Sequence, residues 1–182
     1  MASKKSGKSS KIPGKRAIPK ETVKRLLKQG ANTGFRVSED AVLLAKKTVR
    51  EYLKEMAEHL KSESDRDGKS TILARHTEYV LTKSGKCGWN VRYNKLSDES
   101  VLKQDGIRGL AVSSVRKILR KYTGKRVSEQ AARDATVATS VIIRRIGEIA
   151  SSYTVSRQTQ KKSAVTILKR DVASAVNQMD SR

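Results

Sequence analysis

Two stretches of the chain place apolar residues at intervals of three and four over about five turns, as fits helices of six or more turns. Val42, Ala45, Val49, Leu53, Met56 and Leu60 form the first series, and Ala135, Ala138, Ile142, Ile146, Ile149 and Tyr153 the second. This spacing lines up side chains on one face of an α-helix, so it predicts two long amphipathic helices. A shorter amphipathic segment precedes each, Val23-Lys-Arg-Leu26-Leu27-Lys28 and Val115-Arg-Lys-Ile118-Leu119-Arg120. A polar loop follows each, Asp65–Thr71 and Ser156–Thr166, and then a short helix predicted at about 73–83 and about 168–178. Nowhere does the chain alternate with a period of two over a length that would build a strand ladder. The expected fold class is all-α.

The two series belong to an internal repeat. Arg36-Val37-Ser38-Glu39 recurs as Arg126-Val127-Ser128-Glu129, a register of 90 residues. Ser38 and Ser128 stand where a helix N-cap is needed, and the acid after each suits the positive end of a helix dipole. The expected organisation is a basic tail over 1–18, a first unit over 19–83, a connector over 84–109 and a second unit over 110–182. A helix of about 27 residues is about 40 Å long. Two short helices cannot cover its whole apolar stripe, so each unit needs a partner. The other unit of the same chain supplies one, and linkage raises its effective concentration to about the millimolar range.

Charge narrows the function. Forty Lys and Arg against 18 Asp and Glu leave +22 at neutral pH. Self-repulsion on this scale calls for a polyanionic partner, and nucleic acid fits because neutralising phosphates releases counterions. A membrane-surface protein is disfavoured, since its amphipathic helices carry Trp, Phe and Leu opposite the positive face, and this chain has one Trp and one Phe. No apolar run approaches the ~20 residues needed to span a bilayer, and the opening MASKKSGKSSKIPGKR has no apolar signal-peptide core. One cysteine, Cys87, excludes an internal disulfide and suits an intracellular setting. The tail carries Lys4, Lys5, Lys8, Lys11, Lys15 and Arg16 and no acid, a composition too polar to order by itself. It is read as contacting DNA diffusely, against the alternative of a solvated leader. In the connector, Trp89 and Tyr93 either pack on the paired units or meet DNA.

Short helix, Arg-Val-Ser loop, long helix, Lys69-Ser70-Thr71-Ile72 loop and short helix, in that order and twice, resemble the histone fold. Ser38 and Thr71 are 33 positions apart, the separation histones keep between these landmarks, and Val165-Thr166-Ile167-Leu168-Lys169-Arg170-Asp171-Val172 is closer still to the family's second loop. The whole chain is similar to single-chain histone doublets of archaea and large DNA viruses. That resemblance implies a pseudodimer in which the first loop of one unit lies beside the second loop of the other, pairing Arg36 with Thr166 and Arg126 with Thr71. It implies that these arginines enter the DNA minor groove while the hydroxyls steady them. Lys69, Ser70, Lys161 and Lys162 would flank them at phosphates, and Arg25, Lys28, Lys117 and Arg120 on the first helices would touch the backbone between. The implied partners are double-stranded DNA and further histone-fold chains, itself included, at the chromosome or nucleoid, or in a virion or host nucleus if the chain is viral. No cofactor, membrane or small-molecule substrate is implied.

The chain also departs from the family. The first loop of the first unit is two residues longer, and Ser128 to Thr166 spans 38 positions against 33. Histones place an Asp early in the last helix, where it helps join dimers. Asp171 keeps that place and His76 holds it in the first unit, while Glu63 and Arg66 replace the leucine and histidine near the end of the long helix. Asp171, His76 and Arg66 are the expected contacts between pseudodimers, with one asymmetric end-to-end contact through the second unit.

Catalytic chemistry is not expected. Asp67-Gly68-Lys69-Ser70 and Gly7-Lys8-Ser9 lack the leading Gly of a phosphate-binding loop, with Glu63 and Ala2 in its place. His59 and His76 lack companions at zinc spacing, and Cys87 has no plausible His partner as a nucleophile. The leading expectation is a histone-like protein that wraps and compacts duplex DNA with little sequence specificity. A histone-fold subunit of a transcription or replication complex is the alternative, and a ribosome-associated RNA binder a third.

Overall fold

The computed structural model describes residues 18–31, 34–82, 109–157 and 165–180. Among them are six helices in two matching sets: α1 (Lys20–Gly30), α2 (Glu39–Arg66) and α3 (Ala74–Thr82), then α4 (Val112–Thr123), α5 (Glu129–Arg157) and α6 (Lys169–Asp180). Each long helix starts where its serine predicts. Ser38 Oγ accepts the Ala41 N–H at 3.2 Å, and Ser128 Oγ accepts the Ala131 N–H at the same distance. Glu39 and Asp40 in one first turn, and Glu129 in the other, complement the exposed N–H groups. Two glycines end helical segments in the left-handed region, Gly124 after α4 (φ 68°) and Gly68 after α2 (φ 64°), a conformation that strains any residue with a Cβ.

The units share one core. α1 packs on α5 and α4 on α2, so each first helix lies against the other unit's long helix, and α3 meets α5 as α6 meets α2. All six apolar residues expected on the stripe of α2 are buried. Leu26, Leu27, Leu53, Met56, Leu60, Leu119, Ile142, Ile143 and Ile146 are fully enclosed, each contributing about 1.5–3 kcal/mol relative to exposure.

The expectation of no strand ladder needs a correction. Two parallel ladders of two residues each join the units, β1 (Arg36–Val37) with β4 (Thr166–Ile167), and β2 (Thr71–Ile72) with β3 (Arg126–Val127). Two residues are too few to leave an alternating pattern in a sequence. The ladders set the start of α2 beside the end of α5 and the start of α5 beside the end of α2, so the long helices run head to tail.

Two further readings change. Ile18, assigned to the tail, is fully buried in the core; it is the counterpart of Leu110, which is buried just before α4. The stripe of α5 also ends differently. Ala150 and Thr154 are buried, whereas Ile149 is half-buried and Tyr153 is 40% exposed. Both series fit the helical period, and the neighbouring helices decide which one is covered. The tail reading of 1–17 and the roles of Trp89 and Tyr93 fall outside the described residues.

Candidate nucleic-acid interface

Successive residues of a strand point to opposite sides, and each ladder uses both. Val37, Ile167, Ile72 and Val127 turn into the core, at 7%, 0%, 0% and 5% exposure. Arg36 and Arg126 are consequently exposed, with Thr166 and Thr71 half-buried beside them. The Cα register pairs Arg36 with Thr166 and Thr71 with Arg126, the two pairs implied by the resemblance to the histone fold. Backbone bonds hold them: Arg36 N–H to Val165 O at 2.9 Å, Ser38 N–H to Ile167 O at 3.0 Å, and Ser128 N–H to Ile72 O at 2.9 Å. The result is two ridges, one at each end of the paired long helices, each offering a guanidinium next to a hydroxyl.

The other candidates are distributed as follows. Lys69 and Ser70 are exposed immediately before Thr71. On the first helices, Arg25, Lys117 and Arg120 are exposed and Lys28 is half-buried. Lys161 and Lys162 lie outside the described residues. Arg116, which the sequence did not single out, donates through Nε to Val127 O at 3.1 Å and braces the second ridge from behind. Glu39 is held below the usual carboxylate range, first by its hydrogen bond from Lys20.

Two residues expected at a contact with other chains are turned inward. Asp171, 4% exposed, accepts the Leu168 N–H at 2.8 Å, the Thr154 hydroxyl at 3.0 Å and the Arg157 guanidinium at 2.9 Å. It therefore caps α6 and fastens it to the end of α5. His76, 3% exposed, does the same work in the first unit: Leu73 N–H donates to its Nδ1 at 3.1 Å, leaving Nε2 against Asp67 at 3.0 Å. Asp67 and Arg157 hold equivalent positions, as do His76 and Asp171. The two clamps thus use the same geometry with acid and base exchanged. Asp67 is kept below the usual carboxylate range by the His76 bond first, with Arg75 adding to it. Of the three expected contact residues only Arg66 faces outward, paired with Glu63 and lying 5.2 Å from the Tyr79 ring centroid.

The two ends also differ in polarity. At the second-unit end, Tyr153 lines a surface groove of about 290 Å³ together with Arg145, Glu148, Ile149, Ser152, Ser156 and Gln178, and Val155 is 58% exposed. The first unit has Glu63 and Asp65 at the places of Tyr153 and Val155. Among the described residues no three His, Cys, Asp or Glu side chains are grouped to hold a metal ion, and no helix is long and apolar enough to cross a membrane.

Known proteins resemble this arrangement. Residues 16–81 match the profile of the family described as histone-like transcription factor (CBF/NF-Y) and archaeal histone. The crystal structure of the histone from Methanopyrus kandleri is similar over both units: TM-score 0.64, 22% identity, 89% of this chain and 95% of that one. No curated protein sequence matches. The fold is the histone fold, present twice in one chain.

Proposed function

We propose that the chain binds duplex DNA with little sequence preference and bends it over a surface ended by the two Arg–Thr ridges. The observation that carries this reading is the pairing of Arg36 with Thr166 and of Arg126 with Thr71 in two equivalent ladders. A narrowed minor groove concentrates negative potential and attracts Arg. The ridges stand about one long-helix length apart, roughly 40 Å, which exceeds one turn of B-DNA at ~34 Å. Lys69, Ser70, Arg25, Lys28, Lys117 and Arg120 would meet phosphates along the way. Such contacts fix position rather than sequence, and the formal charge of +22 favours them through counterion release.

The same reading includes self-association through the second-unit end, where Tyr153 and Val155 offer apolar surface that the first unit replaces with carboxylates. A histone-fold subunit of a transcription complex is the second reading, supported by the first half of the matching family's description. A salt titration of binding to duplex DNA and duplex RNA, repeated with Arg36→Ala and Arg126→Ala combined, tests the proposal. The expected result is preference for DNA, a steep salt response, and loss of bending in the double variant with helicity retained. Unchanged bending in that variant, or preference for RNA, refutes it.

A further inference from the structure

Lysine is ordinarily a hydrated point charge on a flexible stem. Lys125, next to the ridge residue Arg126, is an exception. Its side chain is 15% exposed. Its ammonium donates to Ser64 Oγ at 2.9 Å, to Lys69 O at 2.6 Å and to Asp65 Oδ1 at 2.6 Å. Those three acceptors occupy all three N–H groups of the ammonium, and all belong to the other unit.

The turn that Lys125 grips is also closed on itself. Lys69 N–H donates to Ser64 O at 2.8 Å, Gly68 N–H to Asp65 O at 3.0 Å, and the fully buried Ser64 hydroxyl to Lys69 O at 2.7 Å. Lys125 adds a cation at the negative end of the α2 dipole, where it is favourable. Two residues after Lys69 the chain reaches Thr71, the partner of Arg126. Both strands of this ladder are thus set by one side chain, because the Lys125 backbone leads into Arg126 while its ammonium holds the approach to Thr71. Asp65 is correspondingly held below the usual carboxylate range, chiefly by that hydrogen bond. The first unit has Phe35 at the position of Lys125, so the Arg36 ridge lacks this latch.

We infer that Lys125 is a positioning residue that presents Arg126 and Thr71 to DNA and does not itself contact phosphate. This rests on the DNA-binding reading above, and removing Asp65 separates the two roles by sign. Asp65→Asn raises the net charge by one and takes away the only charged acceptor among the ammonium's three, loosening its hold on the turn. A phosphate-seeking lysine would then bind DNA more tightly, whereas a positioning lysine would present its ridge less well.

The test follows the amide signals of Arg36 and Arg126 by NMR as duplex DNA is added to the full chain, for the unmodified protein, Asp65→Asn and Lys125→Met. The expected result is that both variants bind about tenfold more weakly (the loss of one charge-assisted contact). Their DNA-induced shift at Arg126 shrinks by half or more, and that at Arg36 is retained. Tighter binding by Asp65→Asn, an unchanged Arg126 response, or equal loss at both ridges overturns the inference. If the unmodified protein shows no response at either ridge, the DNA reading fails instead. Amide exchange over Lys69–Ile72 without DNA then decides the latch: tenfold or faster exchange in Asp65→Asn sustains it, and unchanged exchange overturns it.

Discussion

Gly30 and Arg144 meet backbone to backbone: a Cβ on Gly30 would stand 1.8 Å from the Arg144 carbonyl oxygen. One turn along the same crossing, a Cβ on Gly147 would lie 2.2 Å from the Leu27 carbonyl oxygen. α1 therefore approaches α5 more closely than side chains permit. The equivalent crossing of α4 on α2 has Tyr122 and Ala57 at these two positions.

Gly147→Ala should accordingly destabilise the pseudodimer by about 3 kcal/mol, at the upper end for overpacking because backbone rather than a flexible side chain must move. Ala57→Gly, the reciprocal change, should cost about 1 kcal/mol, the helix propensity difference. Urea unfolding of both variants checks the contrast. Equal effects would show that the two crossings have the same closeness.

The exchanged clamps predict a rescue. His76→Asp alone sets two carboxylates against each other at the start of α3 and should lower stability by about 2 kcal/mol or more. Adding Asp67→Arg recreates the arrangement of Arg157 and Asp171 and should recover most of that loss. A double-mutant cycle measured by thermal unfolding gives the coupling. Absence of coupling would mean the two clamps are not equivalent.

Acid should loosen the gripped turn before the rest of the fold. The carboxyls of Asp65 and Asp67 are both lowered from their ordinary 3.8. A group that ionises more readily when folded adds stability above its unfolded value, and that stability is lost as the pH falls through its folded value. Amide protection over residues 65–72 should therefore fall as the pH drops below the ordinary carboxyl value of 3.8. Asp65→Asn combined with Asp67→Asn should flatten that dependence.

Giving the second-unit end the polarity of the first should prevent self-association. Tyr153→Glu with Val155→Asp copies Glu63 and Asp65 and removes the exposed apolar pair. Sedimentation of the protein with DNA should then show single chains on the duplex where the unmodified protein forms larger particles. An unchanged distribution would place the contact elsewhere.

By itself the sequence determined the helices and the serine caps of the two long ones, and its resemblance to the histone fold implied the two Arg–Thr pairs. The helices and caps rest on local facts, a 3.6-residue period and a serine followed by an acid, whereas the pairs rest on landmarks shared with that family. Tertiary structure alone decided which way side chains face when more than one face fits. It turned Asp171 and His76 inward as helix caps, exposed Tyr153 where Thr154 is buried, and gave Ile18 to the core. It also joined Lys125 to Ser64 across 61 residues. Such contacts depend on what another element brings to the same place, and no spacing along the chain records that.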